Sequence, residues 1–119
     1  MDLRPGKWKI NGNGFTGEID ITSVAADGQI AGTVFGNQIL GFWDDVSKKI
    51  TFLRVINPAD PSTHQVYTGY LFRTPGASPL DAIGDFHLTL TGCFEAFSGT
   101  GGIAQRVLYG WYAMLGVIG

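Results

Sequence analysis

Six times in this chain a glycine sits inside a run of β-branched and aromatic residues: "FTGEI", "IAGTV", "ILGFW", "VYTGYLF", "LTGCF" and "LYGWY". Glycine weakens a strand, because it gives up the most backbone entropy and packs nothing, so its repetition at mid-strand needs a geometric reason. A small closed barrel supplies one. Its strands coil sharply, a residue without a side chain permits the bend, and a neighbouring aromatic ring covers the backbone left bare. A ligand lying against that backbone is the competing reason.

The pattern around these glycines is β throughout. Apolar residues recur in runs of about six to ten residues, and nowhere does an i, i+3, i+4 pattern persist. Eight strands are expected, over Lys7–Asn11, Phe15–Val24, Gln29–Phe35, Gln38–Trp43, Lys49–Ile56, Gln65–Arg73, Phe86–Phe97 and Val107–Leu115. Turn chemistry joins them as consecutive hairpins: Asp-Gly in "AADGQ", a Gly-Asn type II′ turn in "FGNQ", and the polar loop "DDVSKK", where Asp44 and Asp45 cap the turn. Longer connections fall at "NPADPST", at "TPGASPLDAIGD", which has room for one helical turn, and at the flexible "SGTGGIAQR". Short antiparallel strands in sequence order predict an all-β, eight-stranded antiparallel up-and-down barrel, which leaves no exposed edge. A β-sandwich is the architectural alternative. At 119 residues the chain makes a single domain over 1–119.

Period-two alternation assigns faces. In the second strand Ile19 and Ile21 oppose Glu18, Asp20 and Thr22, so one side is wet; in the seventh, Leu88, Leu90 and Phe94 oppose His87, Thr89 and Thr91. The last strand has no polar side, with Tyr109, Trp111 and Ala113 on one face and Leu108, Tyr112 and Met114 on the other. A barrel strand apolar on both faces needs an outer cover. Homo-oligomerisation through Leu108, Tyr112 and Met114 is the expectation.

Charge and composition narrow the partners. A formal net charge of −2, from 8 basic and 10 acidic residues, offers no footprint for nucleic acid or an anionic membrane. "MDLRPGKWKI" lacks a signal-peptide core and no apolar run reaches spanning length, so a cytoplasmic location is expected. Cys93 is the single cysteine, expected as a small buried hydrophobe, and His64 and His87 are expected to face solvent. No metal-spaced cluster, nucleophile elbow or phosphate loop is present, so no catalytic residue, metal or cofactor is assigned.

What remains is aromatic. Trp8, Phe35, Trp43, Phe52, Tyr67, Tyr70 and Trp111 are candidates either for the core or for the lining of a binding site, since a barrel of eight strands either fills with side chains or holds one small molecule. Arg54 shares a face with Ile50, Phe52 and Ile56, but Leu53 and Val55 opposite are apolar too, which leaves its direction open. If inward, it requires a partner, with Glu18, Asp20 and Glu95 available. Asn11, Tyr67 and Arg54 are the polar groups able to orient a ligand.

"GKW" resembles the Gly-x-Trp that opens the first strand of the avidin/streptavidin barrels within the lipocalin-like group; "DGQIAGTV" and "QVYTGYLF" resemble their third and sixth strands, and "LYGWY" their last. The resemblance implies the eight-stranded barrel and agrees with a tetramer-forming last strand. It does not extend to the biotin contacts. Asn11 stands three residues after Trp8 where the family has two, Tyr67 stands where the family has tryptophan, and no acidic residue follows Glu95. The expected function is a small-molecule-binding barrel for an apolar or aromatic ligand held in its open end. The alternatives are a filled structural or interaction module and a cyclase- or isomerase-type enzyme using Arg54 and Glu95.

Overall fold

The computed structural model describes residues 3–75, 86–98 and 105–117. Eight strands, β1 (Gly6–Gly12), β2 (Phe15–Val24), β3 (Gln29–Val34), β4 (Asn37–Asp44), β5 (Lys49–Arg54), β6 (Gln65–Pro75), β7 (Phe86–Ser98) and β8 (Gln105–Val117), form the wall. Each pairs antiparallel with its neighbour in sequence, and β8 returns to β1 through Gly12↔Trp111 to Lys9↔Met114, closing an up-and-down barrel. Among the described residues no helix is long and apolar enough to cross a membrane.

The turns show why the hairpins close as they do. Asn13 and Gly14 join β1 to β2 with φ of 50° and 90°, the type I′ geometry that matches strand twist. Between β3 and β4, Val34 pairs with Asn37, so the two turn residues are Phe35 (φ 49°) and Gly36 (φ 79°). This corrects the expected Gly-Asn turn and shortens the third strand by one residue. The β4–β5 loop is held by Asp44, whose carboxylate accepts from Val46 N–H and from Ser47 Oγ (2.9 Å); the Ser47 hydroxyl and then the amide hold its pKa below the ordinary value. Asp45 adds an ion pair to Lys48. "NPADPST" contains a short 3-10 turn, Pro61–Thr63, capped by Asp60. The "TPGASPLDAIGD" and "SGTGGIAQR" connections lie largely outside the described residues.

Alternation buries one face of every strand. Trp8, Ile19, Ile50, Leu88, Leu90 and Ala113 are fully buried inside the barrel. Outside β1 and β2, Lys7 faces Asp20 and Lys9 faces Glu18 in register, opposite charges on a wet surface. The wall orders Cys93 outward, where it is exposed, because Phe94 and Gly92 take the inner positions of that stretch; the expected burial is wrong. His64 and His87 are half-buried rather than open, His64 with its Nε2 3.3 Å from the Asn57 carbonyl.

The mid-strand glycines divide by what they face. Trp111 lies across the inner wall over Gly69, where a Cβ would stand 2.7 Å from its Cζ2, and its indole N–H reaches both Thr68 O and Cys93 O at 3.1 Å. Gly17 is the seat of the Phe35 ring; a Cβ there would come within 2.6 Å of Cε1. Gly110 has open space around it, so the glycine of "LYGWY" has no such cause.

Candidate functional site

The open end that carries the β1–β2 and β3–β4 turns holds a cup of about 410 Å³. Its wall is a register effect. Phe52 on β5, Tyr67 on β6, Phe94 on β7 and Tyr109 on β8 are successive cross-strand partners, so four inward rings line up across four of the eight strands. Phe52 stacks on Tyr67 at 4.7 Å and 9°, Tyr67 on Phe94 at 4.7 Å and 14°, and Phe94 leans on Tyr109 at 5.2 Å. Trp111 meets Phe52 and Tyr67 edge-on from below, at 6.0 and 5.8 Å. Deeper in, the barrel is packed with the core residues named above, so the cup has a closed floor.

One strand position nearer the mouth, the polar row begins. Arg54 pairs across the ladder with Gln65, and the inward direction of Ile50 and Phe52 carries Arg54 inward as well. Its Nε donates to Asn37 Oδ1 (2.9 Å) and its Nη1 to Gln65 Oε1 (3.1 Å), while the guanidinium lies 4.9 Å over the Phe35 ring. Gln65 Oε1 also accepts from the Tyr67 hydroxyl at 2.9 Å. Burial pushes the Tyr67 phenol above its ordinary pKa, and the neighbouring Arg54 offsets part of that rise. Arg54 is the one charged side chain among the described residues that line the cup.

Phe35 makes this arrangement from an unfavourable backbone. A bulky side chain at φ 49° costs on the order of 1–3 kcal/mol, and it persists only where surroundings over-determine it. Here one side of the ring is seated on Gly17 and the guanidinium covers the ring from the cup. The strain thus fixes a platform for Arg54.

Of the candidate residues, Phe35, Arg54 and Tyr67 line the cup. Phe52 and Trp111 are in the ring cluster beneath it. Trp8 is buried in the core, with its indole N–H on Arg4 O at 3.1 Å, because it enters β1 four residues deeper than the mouth. Asn11 is corrected: it alternates to the outer side of β1, and its Oδ1 accepts the Gly14 N–H at 2.8 Å, pinning the first turn. Trp43 belongs to the opposite end, beside a second depression edged by Leu3, Asp27 and Asp45, and its buried Nε1 has no partner among the described residues. Arg54 and Glu95, the residues named for an enzyme, lie on opposite faces of the wall: Arg54 points inward and Glu95, next to inward Phe94, alternates outward. Gln65, Phe94 and Tyr109 were missed by sequence reasoning; alternation marks each as inward, but only strand register sets Gln65 beside Arg54 and Phe94 and Tyr109 in the neighbouring row.

Among the described residues no group of three or more His, Cys, Asp or Glu side chains could hold a metal ion. The chemistry of the cup is stacking plus one held cation. No protein-family model, curated protein or solved structure matches this chain.

Proposed function

We propose that this barrel is a binding protein whose cup takes a small, largely aromatic molecule. The observation that carries this reading is the stacked row of inward rings ending in Phe94 and Tyr109, which lines an open mouth with aromatic surface above a packed core. A site of this size and make-up, mostly aromatic with a few convergent polar groups, is what ligand burial requires. The likeness to avidin/streptavidin barrels is consistent with ligand uptake at one end, by residues other than those of a biotin site. Titration with the neutral fluorophore N-phenyl-1-naphthylamine tests it: one saturable site per chain is expected, weakened about tenfold by Tyr109→Ala. Absence of saturation would refute it.

We further propose that the chain self-associates through β8. Leu108, Tyr112 and Met114 are 65%, 49% and 38% exposed on its outer face. Leu108 continues in register through Glu95 and Val66 to Leu53 and Leu40, extending a sparsely charged surface across five strands. The charged outer face of β1 borders this surface, Lys9 pairing with Met114 across the β1–β8 seam, so the apolar patch is edged by charge on that side. The same outer face supports the second reading, an interaction module.

A further inference from the structure

The polar row of the cup is unbalanced. Arginine has five N–H donors and no acceptor. Asn37 Oδ1 and Gln65 Oε1 take two of them, and the Tyr67 oxygen beside the guanidinium can take a third, so at least two remain. The acceptors, by contrast, are used. Gln65 Oε1 already receives both the Arg54 Nη1–H and the Tyr67 hydroxyl. Because a guanidinium only donates, the Gln65 carbonyl must face it, which turns the amide NH2 away as a further donor. None of the cup residues described is Asp or Glu, and both hydrogen-bonding partners of Arg54 are neutral.

A half-buried cation with neutral partners, spare donors and a fixed plane is preorganised for a planar anion. The plane is fixed from three sides, by Phe35 beneath and the two amides at its edge. Phe94 and Tyr109 stand in the adjacent row of the same wall, within reach of a molecule whose anionic end is at Arg54.

We propose that the ligand is an aromatic carboxylate, its two oxygens on the free N–H groups of Arg54 and its ring against Phe94 and Tyr109. This rests on the binding function proposed above. A carboxylate supplies the missing acceptors and a charge, whereas a neutral amide of the same shape supplies one acceptor and adds two more donors to a site that already has too many.

Calorimetric titration of the full chain with 2-naphthoate and with 2-naphthamide at pH 7 tests it. The naphthoate is expected to bind at least about tenfold more tightly. Gln65→Glu places an internal carboxylate against Arg54, and it is expected to remove that preference by weakening naphthoate more than naphthamide. Arg54→Lys, which keeps the charge but loses the fork, is expected to retain only part of it. Equal affinity of the wild-type chain for acid and amide would overturn the carboxylate inference and leave the cup standing. Failure of both probes to bind would overturn the cup and, with it, the inference.

Discussion

Gly69 and Gly110 occupy the same kind of sequence, a glycine between aromatic residues in a strand, and the fold uses them differently. Adding a methyl group at Gly69 drives it into Trp111 and toward the Thr91 carbonyl; at Gly110 it meets nothing. Gly69→Ala is therefore expected to destabilise by about 1–3 kcal/mol in urea titrations, as overpacking does, and Gly110→Ala to stay within about 0.5 kcal/mol of wild type. Equal effects would show that the Trp111 seat is not what Gly69 is for. Tyr67 gives a test in pH. Its phenol is raised from an ordinary value of 10.0, so the folded state holds the proton more tightly than the unfolded one. The stability this contributes is complete below that value and is lost as pH rises through the folded pKa. Tyr67→Phe removes the loss, so its urea midpoint is expected to fall less steeply than wild type as pH rises above about 10.

At the scale of the element, Trp111 ties three strands. It starts on β8, lies over Gly69, and donates to carbonyls of β6 and β7. Trp111→Phe keeps an aromatic ring but deletes the donor and part of the packed indole, with an expected cost of about 1–3 kcal/mol measured by chemical denaturation; no change would mean that the shared hydrogen bond contributes nothing. The strands themselves were legible from alternation, since β2, β4 and β7 each put one apolar face inward. The direction of Arg54 was not, because Leu53 and Val55 are as apolar as Ile50 and Phe52. The Phe35–Gly36 turn was hidden for a related reason. Local rules disfavour a phenylalanine with positive φ, and only Gly17, eighteen residues upstream and facing inward, makes a place for its ring. The ring row was invisible for want of register: Phe52, Tyr67, Phe94 and Tyr109 are far apart in sequence and meet only through strand pairing. Cys93 misled because cysteine's general preference for burial yields to alternation on a barrel wall.

The whole molecule is a barrel with one wet side, one apolar side and one aromatic mouth. The apolar side gives the assembly prediction: sedimentation velocity is expected to show an oligomer that Tyr112→Lys dissociates, whereas a monomeric wild-type chain would rule out the β8 interface. The mouth gives the functional one. Two depressions lie at opposite ends, one built on Arg54, Gln65 and the ring row, the other on Trp43 and the β2–β3 and β4–β5 loops. They are distinguishable residue by residue. The most direct measurement is an amide-resolved NMR titration with N-phenyl-1-naphthylamine. Saturable shifts at Gln65, Tyr67, Phe94 and Tyr109, with Asp27, Trp43 and Val46 unmoved, are the result expected of a barrel that binds in its aromatic cup; shifts confined to the Trp43 end or to the outer face of β8 would contradict it.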